Sequence, residues 1–182
     1  YTLVEIGDHT VIRECVTINK GTSQDVGITR LGNDNWIMAY VHIAHDCQII
    51  NHTIFANNTT LGGHVTVGDF VIFGGFSGAH QFCKIGSHSF LGMYSGIARD
   101  LPPYVVVMGQ PAKPRSINIE GLKRRDFSEK QIRNIKNAYK YLYKSDLRIE
   151  EAIEKISSLT EISDEVTVMI DFLNQSSRGI VR

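Results

Sequence analysis

Every sixth residue between Leu31 and Ile97 is apolar, without exception: Leu31, Ile37, Ile43, Ile49, Phe55, Leu61, Val67, Phe73, Ala79, Ile85, Leu91 and Ile97. With 42% of the chain apolar, such a series in one register arises by chance roughly 3 times in 100,000, so the period is structural and not an effect of composition. A period of six fits neither the 3.6 of a helix nor the 2 of an ordinary strand. It is the mark of a parallel β-helix, in which each hexad supplies one short strand and a turn. Three hexads close a coil, so residues i and i+18 stack at the strand spacing of about 4.8 Å. Stacked coils then share an apolar core that no single coil can bury alone. Four places beyond each anchor stand small or β-branched residues such as Val41, Cys47, Thr53, Val65, Ser77 and Cys83, which suit the corner beside the anchor.

The same period runs upstream through Ile6, Ile12 and Ile18, giving one further coil. The register then breaks for seven residues, and residues 24–30 are expected to form a loop thrown out from the prism, where scaffolds of this kind often carry function. The chain opens on Tyr1 in mid-pattern, so earlier coils are expected to precede it. Handedness does not follow from the period; most parallel crossovers are right-handed. Pro102 and Pro103 stop the repeat, and Pro111 and Pro114 hold the next segment extended. Helical grammar begins at Phe127. Ser128 with Gln131 reads as a capping box, Ile132, Ile135, Tyr139 and Leu142 form one apolar stripe, and residues 147–157 and 164–174 read as two more helices. The expected organisation is a hexapeptide-repeat β-helix over residues 1–110, with the loop at 24–30, followed by a linker and α-helical domain over residues 111–182.

The chain is formally neutral, with 19 Lys+Arg against 19 Asp+Glu, and no nucleic-acid partner is expected. The charge is uneven, however: residues 113–140 hold 9 basic and 3 acidic residues, a local field suited to an acidic partner or a phosphate. No apolar run is long enough to span a membrane, and there is no signal-peptide or lipidation pattern. Three cysteines make no disulfide framework, and Cys47 and Cys83 occupy small-residue slots where packing accounts for them. A cytoplasmic setting is expected.

Four of the seven histidines cluster in the repeat: His42, His45, His64 and His80. Asp46 plus 18 is His64, so these two stack on adjacent coils. His45 plus 18 is Gly63, and a further 18 gives Gln81. An imidazole, a backbone N–H bare of any side chain and a carboxamide are thus expected along one rim, within about 10 Å. Histidine suits proton transfer near neutral pH, Asp46 can orient it, and the Gly63 N–H is reachable as an oxyanion donor. A general base can activate a substrate hydroxyl directly, so no serine or cysteine nucleophile is required. His9, His52 and His88 read as surface turn residues. The rival reading is a Zn²⁺ site with an open position, built on His42 and His45 in the manner of a γ-class carbonic anhydrase, which uses a similar scaffold; that reading leaves the basic cluster without a role, and no metal is assigned.

The stretches His42-Ile43-Ala44-His45-Asp46-Cys47, Ala56-Asn57-Asn58-Thr59-Thr60-Leu61-Gly62-Gly63-His64-Val65, Ala79-His80-Gln81-Phe82-Cys83 and Asn118-Ile119-Glu120-Gly121-Leu122-Lys123-Arg124-Arg125 closely resemble the UDP-N-acetylglucosamine O-acyltransferase family. The likeness extends to the closing Ser177-Arg178-Gly179-Ile180. The resemblance implies a left-handed parallel β-helix, a helical C-terminal domain and a homotrimer with sites between neighbouring prisms. It implies transfer of a 3-hydroxyacyl group from acyl carrier protein to the glucosamine 3-hydroxyl of UDP-N-acetylglucosamine, the first step of lipid A synthesis, with no cofactor beyond the phosphopantetheine on the carrier. By resemblance His45 is the general base, Asp46 supports it, and Gly63 supplies the oxyanion donor. His42, His64, His80 and Gln81 line the groove. Asn118, Glu120, Arg124 and Arg125 form the nucleotide-sugar site, where arginine suits a pyrophosphate. Met93 stands at the position of the family's acyl-length ruler, where some members have Gly, which implies a preference for shorter acyl chains. The pathway's N-acyltransferase shares the scaffold and is the same-class alternative; it carries a different nucleotide-site string.

Overall fold

An apolar anchor turned inward at every sixth position leaves each hexad room for a two-residue strand and a tight corner. The computed structural model describes residues 1–158 and 163–182. In it the hexads wind into a left-handed parallel β-helix. The first face stacks Leu3–Ile6, Ile28–Leu31, Gln48–Ile49, Thr66–Val67 and Lys84–Ile85; the third stacks Thr17–Ile18, His42–Ile43, Thr60–Leu61, Gly78–Ala79 and Gly96–Ile97. Between them, the second face runs from Val11–Ile12 through Trp36–Ile37, Ile54–Phe55, Ile72–Phe73 and Phe90–Leu91 to Val105–Met108. The register is i to i+18 from Arg30 and Leu31 to Gly78 and Ala79, as in Ile37 against Phe55, and shortens to i+16 at the last coil, where Leu91 meets Val107. All twelve anchors from Leu31 to Ile97 are buried, each contributing roughly 1.5–3 kcal/mol where the side chain is large. The uppermost coil has one neighbour only, so its anchors Ile6 and Ile12 are 46% and 41% exposed.

One feature of the corners was not legible in the repeat. From Asp34 to Tyr94, every sixth residue adopts a left-handed backbone, with φ between 56° and 66°, and none of them is glycine. Such a conformation costs a non-glycine residue roughly 1–2 kcal/mol. Part of that cost is offset by stacking where rings occupy corners of successive coils. At the corner between first and second faces, ring centroids stand 4.7 Å apart for His52 and Phe70, 5.0 Å for Phe70 and His88, and 5.7 Å for His88 and Tyr104. Aromatic pairs of this kind add about 0.5–1.5 kcal/mol beyond area burial.

Four expectations need correction. The seven-residue break is real, but the loop occupies residues 19–27: Ile28–Arg30 joins the strand Ile28–Leu31, which pairs with Leu3–Ile6. The sheet also passes residue 110. Strand Lys113–Ile117 returns antiparallel against Val105–Met108 on the second face, with Pro114 tolerated on this edge beside a register shift, so a boundary at 110/111 falls inside a hairpin. Helix starts before Phe127, because Asn118 caps a short helix α1 (Ile119–Lys123) by accepting the Gly121 N–H. His88 is no surface turn residue: it lies half-buried between Phe70 and Tyr104, with Phe127 edge-on.

Beyond these, α2 (Glu129–Tyr143) carries the expected Ser128–Gln131 capping box and buries Ile135, Tyr139 and Leu142. It packs with α3 (Ile149–Ser157) and α4 (Asp164–Gln175). The chain's last residues return to the prism through buried Asp100, whose carboxylate accepts the Lys84 N–H and the Ser176 hydroxyl while its backbone pairs with Gly179 and Val181. Among the described residues no helix is long and apolar enough to cross a membrane.

Burial first, then Arg125, pushes the His88 pKa down to about 4, against the opposing pull of Asp69. The unfolded chain takes up a proton near pH 6.5 while the folded chain keeps the ring neutral, so this contribution to stability is complete above about pH 6.5 and is lost as pH falls towards 4. His88→Phe keeps a stacking ring at a corner conformation that Phe70 and Phe82 already adopt. It is expected to flatten that loss. Urea midpoints of both proteins at about pH 7.5 and about pH 5 test this; an equal drop in the two would refute it.

Candidate active site

The corner between third and first faces holds the expected cluster. His45 and Asp46 turn from His42–Ile43 to Gln48–Ile49, Gly63 and His64 turn one coil later, and Gln81 and Phe82 one coil after that. The His64 N–H donates to His45 O at 3.0 Å and the Phe82 N–H to Gly63 O at 2.9 Å, while the Asp46 N–H donates to the Thr29 hydroxyl at 2.8 Å. Among the described residues the Gly63 N–H enters no hydrogen bond.

His45 lies across the site of the missing side chain. A Cβ on Gly63 would stand 2.7 Å from His45 Cε1 and 2.9 Å from Nε2, far inside contact distance. Glycine at this position therefore admits the imidazole, and Gly63 is buried beneath it. The ring is held from the other side by Asp46, whose Oδ2 lies 2.9 Å from His45 Nδ1. The adjacent side chains do converge. Asp46 is itself buried and also accepts the Thr22 N–H at 3.0 and 3.1 Å and the Thr22 hydroxyl at 2.7 Å. Burial, the largest single influence, pushes its pKa up, but the hydrogen bonds from Thr22 and His45 and the nearby His64 together hold it below the ordinary carboxylate value. An ionised carboxylate only accepts, so His45 carries its proton on Nδ1 and leaves Nε2 free as a base.

His64 meets His45 edge to face at 5.1 Å and stacks on Phe82 at 4.5 Å. Its Nδ1 lies 2.7 Å from Asp25 Oδ2. Thr22 and Asp25, both from the loop over residues 19–27, escaped the sequence reading. The register break announced the loop, but 18-residue arithmetic does not say which of its side chains return to the prism. His42 shares a 2.7 Å hydrogen bond with Thr17, and His80 and Gln81 are exposed on the same rim. His45, Asp46 and His64 present donor atoms within 4.8 Å of one another, and His42 is not part of that group.

The second predicted group sits elsewhere. Asn118 uses its amide on the His88 carbonyl (2.9 Å) and its carbonyl on α1. Arg125 donates to the Phe70 carbonyl at 3.3 Å with its guanidinium 4.8 Å over the Phe70 ring; burial, then Arg124, lowers its pKa. Both belong to the corner between first and second faces, one full face away from His45. Glu120 and Arg124 are exposed beside them, and Asn118 and Glu120 line a cleft of about 400 Å³ with Phe90, Val106 and Ser116. Met93 occupies the third corner and is 64% exposed. The two buried cysteines have thiols pushed up to about 11, chiefly by burial, which keeps them out of nucleophilic chemistry.

A hexapeptide prism with an imidazole over a bare amide at one rim defines a hexapeptide-repeat acyltransferase. Residues 28–63 match the bacterial transferase hexapeptide model, and residues 100–181 match that for domain 2 of UDP-N-acetylglucosamine O-acyltransferase. The chain is 52% identical over 181 residues to the acyl-(acyl-carrier-protein)–UDP-N-acetylglucosamine O-acyltransferase of Thiobacillus denitrificans, spanning all of this chain and 70% of that relative. Among solved structures it is similar to LpxA from Acinetobacter baumannii, with a TM-score of 0.95 and 47% identity over 98% of this chain and 70% of that one. The Francisella novicida UDP-N-acetylglucosamine acyltransferase gives 0.97 and 40% over 100% and 67%. The chain belongs to the UDP-N-acetylglucosamine O-acyltransferase family.

Gly63→Ala is expected to push the His45 ring off its seat and break its hydrogen bond to Asp46, leaving the prism intact. A crystal structure of the variant checks this; a ring still within about 3 Å of Asp46 would be the contrary result.

Proposed function

We propose that this protein transfers a 3-hydroxyacyl group from the thioester of acyl carrier protein to the glucosamine 3-hydroxyl of UDP-N-acetylglucosamine, the opening step of lipid A synthesis, in the cytoplasm. The observation that carries the mechanism is the His45 imidazole lying over the side-chain-free Gly63 with Nδ1 tied to Asp46. His45 Nε2 takes the proton of the sugar hydroxyl, and the oxygen attacks the thioester carbonyl. The Gly63 N–H stabilises the oxyanion as the tetrahedral intermediate forms. Collapse breaks the C–S bond, and the imidazolium returns its proton to the phosphopantetheine thiolate, leaving an ester and a free thiol. No metal or further cofactor enters; stoichiometric zinc in the purified protein would favour the hydratase alternative.

His42, His64, His80 and Gln81 form the acceptor groove on the same rim. Asn118, Glu120, Arg124 and Arg125 serve the nucleotide sugar, and the basic residues over 113–140 attract the acidic carrier. Because the two groups lie at different corners, we assign the complete site to the junction of two copies in a homotrimer, the His45 corner of one facing the Asn118 corner of the next.

His45→Ala is expected to reduce turnover by roughly 10²–10⁴-fold. Arg124→Ala is expected to weaken use of the nucleotide sugar. Co-refolding the two impaired variants at equal amounts should raise activity above that of either alone, with about a quarter of the junctions intact by random assortment. Wild-type turnover in His45→Ala removes the base assignment, and absence of any restoration removes the shared site. Met93→Ala is expected to shift the preferred acyl donor towards longer chains, since the methionine side chain fills space that a longer tail needs; an unchanged chain-length profile in a competition assay would take the ruler role from Met93.

A further inference from the structure

The loop over residues 19–27 reaches two of the groups around His45, and its two contacts differ in kind. Thr22 satisfies a buried carboxylate with its N–H and its hydroxyl. Asp25 meets a ring, with its Oδ2 2.7 Å from His64 Nδ1 although the two stand 39 positions apart in sequence. The loop does not need this second contact to hold its place. Leu3 N–H donates to Gly27 O at 2.8 Å, Gly21 N–H donates to Leu3 O at 3.1 Å, and Thr22 is fixed on Asp46. The Asp25 side chain is 44% exposed, and an exposed pair of this kind adds little to stability. Its consequence falls on the ring.

We propose that Asp25 is a positioning residue: it fixes His64 in the tautomer with the proton on Nδ1, so that Nε2 stands at the rim as a hydrogen-bond acceptor for a hydroxyl or amide donor of the bound substrate. A carboxylate in contact with Nδ1 only accepts, so the neutral ring must carry its single proton there. Phe82, stacked at 4.5 Å, and His45, edge-on at 5.1 Å, hold the ring plane, leaving proton placement as the variable that Asp25 sets. Two histidine–carboxylate pairs then stand side by side with different duties. His45 on Asp46 moves a proton, while His64 on Asp25 recognises the group that presents one. This assignment rests on the reading of the rim as the acyl-transfer site.

Asp25→Gly removes the acceptor, and Asp25→Asn keeps one in Oδ1. Nitrogen-15 NMR of the imidazoles, without substrate, reads the His64 tautomer directly. The expected result is an Nδ1–H signature in the wild type and in Asp25→Asn, and a shift of the population to Nε2–H in Asp25→Gly. In acyl-transfer assays Asp25→Gly is expected to raise a substrate KM on the order of tenfold, with the smaller effect on kcat, and Asp25→Asn to restore it. An unchanged tautomer in Asp25→Gly overturns the proposal, as does a changed tautomer with unaltered KM. Absence of acyl transfer in the wild type would instead defeat the functional reading and leave the tautomer result standing.

Discussion

Each corner from Asp34 to Tyr94 turns on a residue held in the left-handed region, and where rings occupy successive coils they stack, as Phe70 does between His52 and His88 and His64 on Phe82. One place before the left-handed residue the fit is of another kind: His45 lies across Gly63 because that residue has no Cβ. The close stacking of coils that builds the scaffold therefore also seats the imidazole, through one missing side chain.

How much of this was legible follows from the same geometry. The anchors declared themselves because inward-facing positions admit apolar residues alone, and counting by 18 brought His45, Gly63 and Gln81 to one rim before any coordinates. Corner positions obey no such filter. They hold Asp, Tyr, His, Asn and Phe alike, so the left-handed backbone left no compositional mark, and His88 read as a surface residue when it is clasped by rings. Thr22 and Asp25 were hidden for another reason. They lie inside the break, where the repeat no longer fixes which side chain meets which coil. The antiparallel return of Lys113–Ile117 was masked by Pro114 and the preceding Pro111, since prolines mark an edge strand and a linker equally well.

The separation of the two residue groups carries its own argument. Asn118 and Arg125 are tied to the backbone of the corner that holds Phe70 and His88, and that corner cannot reach His45 without crossing the whole first face. Residues chosen by resemblance to form one site therefore cannot form it within one chain. The proposed homotrimer answers this separation by symmetry, because a threefold arrangement of triangular prisms would bring unlike corners together at every junction.

The register break acquires a purpose in this frame. A perfect repeat would leave Asp46 as a corner carboxylate at the surface, free to rotate away from its neighbour. The insertion covers it: Thr22 supplies two donors, burial removes water, and the donors outweigh the burial so that the carboxylate stays charged. A buried charge so satisfied is a fixed reference for His45 Nδ1, where a solvated one would hold the ring loosely. Disrupting the repeat by seven residues, at the coil directly before the His45 turn, thus converts a corner carboxylate into a fixed anchor for the His45 ring without altering the coils that carry the rest of the rim.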